Sequence, residues 1–409
     1  MQRLRSNCQI DFMRTTKKQG CWIHSEHPIV RTILLAFFFT LQGLGIPVLA
    51  QNINHMDSVE IGLITCSPHE ELYSLYGHTA LRYHDLTTGE DIAFNYGVFR
   101  PDSKLFIWHF TMGKTDYELG IAPTKAFLKY YADWGCQVTE QVLQLTNEEK
   151  LRIAFALRVN YMPQNRVYRY NVFFDNCATR PRDIIVNNLT GKVEYAPRKG
   201  FSPSFREMAR DCTAGHRWAT FGNDILLGVR ADMPTTQGEQ QFLPVNLRHD
   251  FDRAIVVRDG RREPLVGERR ELVTAGVQIV EPGFPLSPLV CSLMLLAVTV
   301  AVFIYEQNKK TVIRWFDIIL MTAMGLAGSI LTLMLFSEHP TTSTNLQVLL
   351  LNPLPLLFLW PVARGRGKLF FKIQLVLTLL FLVGGIWQSY AEGMYVVAAC
   401  VLLRIVQHR

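Results

Sequence analysis

The sequence predicts a water-soluble α+β domain followed by an all-α bundle of about five transmembrane helices. Apolar stretches with few charges fill residues 286–409, whereas residues 51–285 have the mixed composition of a soluble domain. Alternating apolar residues predict strands in the soluble part, and helical periodicity predicts helices between them. The expected parts of the 409-residue chain are therefore 1–50, 51–285 and 286–409.

Residues 1–50 are predicted to be a secretory signal peptide. Six Lys and Arg side chains precede an apolar run over 32–49, and the small Ala50 marks the cleavage position. Met13 is an alternative start, and an uncleaved anchor helix is an alternative interpretation of the apolar run. Residues 1–31 contain six Lys and Arg and two acidic side chains, so they supply +4 of the net charge of +7. The charge therefore predicts no nucleic-acid partner.

Five apolar segments are predicted to cross the membrane: 286–305, 315–336, 346–362, 370–387 and 394–406. The last is short and contains Arg404. Lys and Arg occur in the loops after the first and third segments and not in those after the second and fourth. Because Lys and Arg accumulate on the cytoplasmic side, this alternation places residues 51–285 outside the cytoplasm. In a double-membrane bacterium the domain would lie in the periplasm, where a secretory signal would also deliver it.

Within the soluble part, strands are predicted over 60–66, 79–84, 91–98 and 167–174, and helices over 124–134, 148–160 and 175–188. A domain of about 230 residues is large enough for one filled core. The aromatic side chains of residues 94–134 are expected in that core, with an acyl groove as the alternative.

Cys177 is the candidate nucleophile. It follows Asp175 and Asn176, where the predicted strand 167–174 ends and a helix begins. A thiol in the first turn of a helix meets the positive end of the helix dipole, which lowers its pKa, and Arg180 would add to this effect. The same backbone N–H groups could form an oxyanion hole. Cys66, Cys136, Cys177 and Cys212 all lie in the exported part, where two of them could pair.

His78 is the candidate base, because it follows the flexible Gly77 at the start of a strand. A single histidine or cysteine is more often structural, so the hypothesis depends on the two residues together. Their order resembles the circularly permuted papain-like group related to NlpC/P60 hydrolases: a histidine at a strand start, a second strand, then Asn-Cys opening a helix. That resemblance implies a polar residue on the second strand that orients the imidazole, and Asn95 has this place.

Nearly everything after the signal resembles the Lnb-type bacterial lipoprotein N-acyltransferases, which have a periplasmic N-terminal domain and a membrane C-terminal part. The motifs that carry the resemblance are Thr65-Cys66-Ser67-Pro68 through Leu72-Tyr73, Tyr76-Gly77-His78-Thr79-Ala80-Leu81-Arg82, Asp175-Asn176-Cys177-Ala178-Thr179-Arg180, Gly222-Asn223-Asp224, Leu227-Gly228 with Ala231-Asp232, and His339-Pro340 through Asn352-Pro353-Leu354. Two positions depart from the expected pattern: His69 replaces a small residue, and Pro181 lies in the early helix, so Cys177 must sit at or just before the first turn.

The resemblance implies a ping-pong acyl transfer without metal or cofactor. Cys177 would take an acyl chain from a membrane phospholipid as a thioester, and the α-amine of a lipoprotein's lipid-modified N-terminal cysteine would then accept it. His78 would serve both steps as base, and Asn95 would orient it. The residues expected to support the site or bind substrate are Asp175, Asn176, Arg180, Arg82, Asn223, Asp224 and His339. For Asn223, Asp224 and Asp232, turn capping is the alternative, and for His339 an exposed interfacial position.

Two other functions fit parts of the sequence. A membrane-anchored cysteine peptidase or amidase acting on the cell wall would use the same cysteine and histidine, but would not explain five spans. A non-catalytic membrane assembly factor would explain the spans, but not the position of the thiol.

Overall fold

The computed structural model describes residues 55–98, 106–278 and 283–408, so the predicted signal peptide lies outside the described residues. The strands are β1 Val59–Cys66, β2 His78–Asp85, β3 Asp91–Val98, β4 Asp116–Pro123, β5 Val138–Leu143, β6 Val167–Arg169, β7 Lys192–Glu194, β8 Ile255–Arg258, β9 Arg261–Pro264 and β10 Val266–Val273. The helices of the soluble part are α1 Phe106–Thr111, α2 Thr124–Asp133, α3 Asn147–Tyr161, α4 Thr179–Asn187, α5 Phe205–Cys212, α6 Arg217–Leu226, α7 Gln237–Gln240 and α8 Pro244–Phe251. Short 3-10 helices span Met56–Ser58, Leu72–Ser74 and Val229–Asp232.

Seven strands of the described chain form one antiparallel sheet in the order β10-β5-β1-β2-β3-β4-β6, and β7-β8-β9 form a smaller one. The central strand β1 is buried on both faces. Its Ile61 and Leu63 face one core, together with Ile153 of α3. Its Ile64 and Cys66 face a second core on the other side of the sheet. Two buried faces therefore hold the middle of the sheet, where β2 and β3 lie, in a rigid frame.

Most predicted elements of the soluble part are confirmed, since β1 to β3, α2 and α3 match their predicted ranges closely. The Thr146 side chain begins α3, because it accepts a hydrogen bond from the backbone of Glu149 while Glu149 caps Thr146 in return. The predicted strand 167–174 is wrong, because β6 ends at Arg169. The predicted helix 175–188 begins later, at Thr179.

The residues between β6 and α4 form a tight turn instead of extended strand. Asn171 and Asp175 exchange backbone hydrogen bonds of 2.9 Å in both directions. The Asn171 side-chain oxygen accepts the backbone N–H groups of Phe173 and Phe174 at 3.1 and 3.2 Å. Asparagine favours such turns, because its side-chain oxygen can accept the backbone N–H group of the second residue after it. This turn explains the early end of β6.

The C-terminal part is helical, with α9 Pro288–Lys309, α10 Arg314–Leu335, α11 Leu354–Leu357, α12 Leu359–Ala363, α13 Lys368–Gly384, α14 Met394–Gln407 and a 3-10 helix at Leu346–Leu349. Within the described residues, α9 and α10 are long and apolar enough to cross a membrane. The predicted third span, 346–362, is not one helix: it is broken into short helical pieces. Pro353, Pro355 and Pro361 explain the breaks, since proline removes a backbone donor and clashes with the preceding turn.

Arg404, which made the last apolar segment unusual, lies in a buried ion cluster. Its guanidinium group donates to Glu306 of α9 at 2.5 and 2.9 Å, and to Asp317 of α10 at 2.7 and 3.1 Å. His408 also contacts Asp317, at 2.8 Å. A charge inside a helical membrane domain is tolerated when it is paired in this way, so the cluster ties α14 to α9 and α10.

Buried polar contacts join the soluble part to the helical part. Gln347 donates to the backbone carbonyl of Asp224 at 2.9 Å, and Gln388 donates to that of Leu227 at 3.0 Å. Phe221 on α6 packs against the hydrophobic core of the helices. The end of α6 therefore rests on loops of the helical part, at the end opposite the Arg404 cluster.

Candidate active site

His78 is held at the first position of β2 by the turn before it. Gly77 has φ +74°, and a Cβ atom there would lie 3.0 Å from the carbonyl oxygen of Cys66. Both features exclude larger residues without strain. Cys66 on β1 pairs with His78, so the imidazole lies at the end of two paired strands in the middle of the sheet. The rings of Tyr131 and Phe127 lie against it, with centroids at 6.1 and 6.4 Å.

Asn95 contacts His78 as the resemblance implied. The strands β2 and β3 pair in a register that places Leu81 opposite Phe94, so extending it makes His78 and Asn95 diagonal neighbours on one face. The two side chains meet through His78 Nε2 and Asn95 Oδ1 at 2.6 Å. Because an amide oxygen only accepts, the Nε2 atom carries the proton and neutral His78 has Nδ1 as its free acceptor.

Asn176 sets the position of Cys177. Its side-chain amide donates to the carbonyl oxygens of Val172 and Phe242 at 2.7 and 2.9 Å. Its side-chain oxygen accepts the backbone N–H groups of Ala178 and Thr179, both at 2.9 Å. Four hydrogen bonds therefore hold the Asn176 side chain, and Cys177 lies just before the first residue of α4.

The Cys177 sulfur lies beside the start of β2. The sulfur lies near the backbone N–H groups of Thr79 and of Cys177 itself, and both groups favour its thiolate form. Since Thr79 follows His78 directly, this contact brings the thiol to the peptide group of the candidate base. The strand-start histidine and the helix-start cysteine, 99 residues apart in sequence, are therefore close together in the fold.

The predicted lowering of the Cys177 pKa is wrong. Burial disfavours the charged thiolate and raises the pKa of the Cys177 thiol from 9.0 to about 11, in spite of the two N–H groups. Burial also lowers the pKa of His78, and the hydrogen bond that His78 donates to Asn95 offsets this only in part. At neutral pH the pair therefore rests as a thiol and a neutral imidazole instead of a thiolate and an imidazolium.

Arg180 does not supply the positive charge that was expected beside the thiol. Its guanidinium group donates to both carboxylate oxygens of Asp175 at 2.6 and 2.7 Å. It also covers the ring of Tyr168, with Cζ 3.5 Å from the centroid. Asp175 and Arg180 therefore form a clamp across the first turn of α4, next to the site.

A β-bulge in β3 leaves space for the Cys177 side chain. The pairing of β3 and β4 is irregular between Asn95 and Val98, and Gly97 in that interval has φ +95°. A Cβ atom on Gly97 would lie 3.8 Å from the Cβ atom of Cys177. The bulge turns the end of β3 toward the thiol, which is a common use of bulges beside functional sites.

Two other predicted site residues, Arg82 and Asp224, have structural contacts. Arg82 donates to Asp91 at 2.7 Å and to the buried Glu140 at 3.0 Å, within the sheet. Asp224 is buried and accepts hydrogen bonds from two arginines, Arg206 and Arg210.

Asn223 and His339 lie where the helical part meets the soluble domain. Asn223 donates to the Tyr76 hydroxyl at 2.9 Å, one residue before Gly77. A Cβ atom on Gly113 would lie 3.0 Å from the backbone nitrogen of His339, so the loop after α10 packs on the soluble domain. Asn223 therefore reaches the turn that holds the candidate base.

Several residues near the pair were not predicted as members of the site. Thr79 contributes a backbone group, which no side-chain pattern reveals. Burial raises the pKa of Tyr131 and of Tyr170, and the nearby Cys177 adds to the rise in both, which places these two phenols around the thiol. Their only sequence signal was their aromatic character, which is also typical of a core.

In the described part of the chain, the cysteines Cys66, Cys136, Cys177, Cys212, Cys291 and Cys400 are free. Among the same residues, no group of three His, Cys, Asp or Glu side chains is placed to hold a metal ion. The arrangement provides a buried thiol, an imidazole with a free acceptor nitrogen and an amide that orients it. These are the groups of a cysteine nucleophile that is activated by a general base.

Two family models match the chain. One, described as the Lnb N-terminal periplasmic domain, matches residues 48–208, and the other, described as the Lnb transmembrane domain, matches residues 279–409. No curated protein and no solved structure matches significantly. The first match contains β1 to β6 and the thiol–imidazole pair, and the second contains every helix from α9 onward.

Proposed function

Since this chain belongs to the Lnb-type bacterial lipoprotein N-acyltransferase family, we propose that Cys177 carries an acyl chain from a membrane phospholipid to the α-amine of a lipoprotein. The chain is an inner-membrane protein of lipoprotein biosynthesis, with its N-terminal domain in the periplasm. The observation that carries the chemical proposal is the position of Cys177 beside the bulge at Gly97, two residues after the Asn95 that contacts His78 at 2.6 Å.

In the first step, His78 Nδ1 takes the thiol proton while the sulfur attacks the carbonyl carbon of a phospholipid ester. The C–O bond of the ester then breaks, and the proton on His78 passes to the leaving oxygen. The products are a thioester on Cys177 and a lysophospholipid. The hydrogen bond of 2.6 Å from Nε2 to Asn95 becomes charge-assisted while the imidazole holds the extra proton.

In the second step, the α-amine of the lipoprotein attacks the thioester carbonyl. The C–S bond breaks, an amide forms, and His78 moves the amine proton to the departing sulfur. The backbone N–H group of Cys177 lies at the reacting atom and is the candidate donor to the oxyanion of both tetrahedral intermediates. The first step therefore converts the neutral thiol to a thioester and the second restores the thiol, and His78 is neutral before and after each step.

The resting protonation state supports acyl transfer inside a site that excludes water. Cys177 is 7% exposed and its pKa is raised, so little thiolate exists before substrate binds. A thioester that is sheltered from water survives until the amine arrives. A cell-wall peptidase has no need to shelter its intermediate, because water is its acceptor.

The contacts between the two parts also favour a lipid substrate. Asn223 links the turn before His78 to α6, and α6 packs on the membrane helices. A cell-wall hydrolase would gain nothing from a base that is tied to the membrane domain. A non-catalytic assembly factor remains the alternative if the thiol forms no covalent intermediate.

The test is a comparison of lipoprotein N-termini in cells whose N-acylation depends on this protein. We expect Cys177→Ala to remove the amide-linked acyl chain, as seen by mass spectrometry of N-terminal peptides. Cys212→Ala is the matched control, since this second thiol lies outside the site, and it should leave the N-termini acylated. Fully acylated N-termini in cells that carry only Cys177→Ala would refute the proposal.

A further inference from the structure

An exposed apolar surface lies beside the candidate active site. We call it the ridge and define it as Leu72, Tyr73 and Tyr130. Leu72 is 65% exposed, Tyr73 60% and Tyr130 44%, and the two tyrosine hydroxyls lie 3.5 Å apart. Leu72 and Tyr73 form a short 3-10 helix just before the turn that holds His78. Large apolar side chains that are exposed together mark a surface that meets another apolar partner.

The segment that carries the ridge runs along α6. His216, directly before α6, lies 3.6 Å from Glu70, and Asn223 within α6 donates to Tyr76 at 2.9 Å. These two contacts are seven residues apart on the helix, or about 10 Å along its axis. Leu72 and Tyr73 lie between them in the chain, so the ridge is held near the flank of α6.

Helix α6 lies at the membrane surface. The indole of Trp218 donates to the carbonyl of Leu286 at 2.8 Å, two residues before the membrane-spanning helix α9 begins at Pro288. Trp218 and Leu286 are 40% and 37% exposed. Tryptophan is enriched where a protein passes from water into lipid. Trp218 and His216 therefore bring the start of the membrane domain close to the segment that carries the ridge.

A short aromatic path leads inward from the ridge to His78. The centroid of His69 lies 6.2 Å from Tyr73 and 6.2 Å from Tyr130. Tyr131 lies 6.3 Å from His69 and 6.1 Å from His78. His69 is only 3% exposed, and within the described structure neither ring nitrogen has a hydrogen-bond partner. A buried imidazole whose nitrogens have no hydrogen-bond partner is rare in folded proteins, so the layer beneath the ridge is held by ring contacts alone, including the stacking of His69 on Trp134 at 4.5 Å.

We infer that the ridge is the entry surface for the donor lipid: an acyl chain of a bilayer phospholipid leaves the membrane beside α6 and crosses Leu72, Tyr73 and Tyr130 to reach Cys177. The inference rests on the proposed function and adds the route of the donor. The occupant is the acyl chain of a bilayer lipid, because the ridge is apolar and its segment lies close to the start of the membrane-spanning helix α9. A short, water-soluble acyl ester does not need this route, since it reaches the site from solution.

The test compares two acyl donors on the full-length protein. The first is phospholipid in vesicles of phosphatidylethanolamine and phosphatidylglycerol that contain the protein. The second is p-nitrophenyl butyrate, supplied in solution. The variant is Leu72→Ser with Tyr73→Ser. The matched control is Leu86→Ser, which changes an equally exposed leucine just beyond the far end of β2, more than about 20 Å along the strand from His78.

We expect the double variant to form the Cys177 thioester from vesicle lipid at least about tenfold more slowly, because two apolar contacts with the chain are lost. Its reaction with p-nitrophenyl butyrate should match that of the wild type, which also shows that the site is folded. Leu86→Ser should react normally with both donors.

Two results would overturn the inference: an unchanged rate from vesicle lipid, or an equal loss with both donors. A wild-type protein that forms a thioester from neither donor would instead refute the proposed function itself.

Discussion

The hydrogen bond between Asn95 and His78 makes a quantitative prediction. Asn95→Ala removes the acceptor at 2.6 Å from Nε2 and leaves the imidazole without an orienting partner. The bond is strongest when His78 holds the thiol proton, because the donor is then charged. A hydrogen bond to a charged group contributes about 1.5–3 kcal/mol, which corresponds to about a 10- to 150-fold loss in the rate of thioester formation.

The pH dependence of the same variants tests the assigned role. His78 must be unprotonated to act as base, so the rate falls as the pH drops through the pKa of His78, which burial lowers below 6.5. Because Asn95 raises the pKa of His78, Asn95→Ala should move this acid limb to lower pH. Asn95→Asp places a carboxylate beside the imidazolium, so it should move the limb to higher pH while retaining more of the rate.

The assay is intact-protein mass spectrometry of the acylated enzyme after rapid acid quench, over a series of pH values. Asn165→Ala is the matched control, since it removes an exposed asparagine that donates to the carbonyl of Val159 away from the site. The reasoning is refuted if Asn95→Ala reacts at the wild-type rate. It is also refuted if the acid limb lies at the same pH in the wild type, Asn95→Ala and Asn95→Asp.

Three further predictions concern reactivity and stability. Because the pKa of Cys177 is raised, iodoacetamide should alkylate this thiol at pH 8 about tenfold more slowly than an unperturbed thiol, and the alkylation rate should still rise above pH 9. An alkylation rate that reaches a plateau below pH 8 would contradict this prediction. Gly97→Ala should lower the free energy of unfolding, measured by chemical denaturation, by about 1–3 kcal/mol, because Gly97 has a positive φ. The control Gly222→Ala, at a helical position with open space around it, should not lower the free energy of unfolding. Arg404→Met leaves the buried carboxylates of Glu306 and Asp317 without the arginine and should lower the free energy of unfolding in detergent by about 3–5 kcal/mol. The exposed Arg366→Met should have little effect, and equal melting temperatures of the two variants would contradict the prediction.

The sequence predicted the elements whose pattern is local. The strands β1 to β3 alternate or are apolar throughout, and α3 has a capping box, so their ranges could be read directly. The role of Asn95 was predicted from the resemblance alone, and the pairing of β2 with β3 explains why it lies beside His78.

Other features depend on distant parts of the chain. The early end of β6 results from the Asn171 turn, and the position of Cys177 depends on a hydrogen bond from Asn176 to the carbonyl of Phe242, 66 residues away. The raised pKa of the thiol results from burial under elements that lie far away in sequence. A helix-start cysteine therefore predicts a nucleophile but does not by itself predict a thiolate.

The third apolar segment shows the opposite case, where the signal was present in the sequence. Hydropathy alone predicted a span over 346–362, but Pro353, Pro355 and Pro361 interrupt it. Its backbone packs on the small Gly328 of α10, so the broken segment is supported by protein instead of lipid. Irregular backbone at membrane depth is tolerated under that condition.

The central claim is that Cys177 forms an acyl thioester with a chain taken from a membrane lipid. The most direct measurement is peptide mass spectrometry of the full-length protein after incubation with phospholipid vesicles without a lipoprotein acceptor. We predict an acyl mass on the peptide that contains Cys177, which neutral hydroxylamine removes and which is missing in His78→Ala. An unmodified Cys177, or an acyl group on another residue, would contradict the claim.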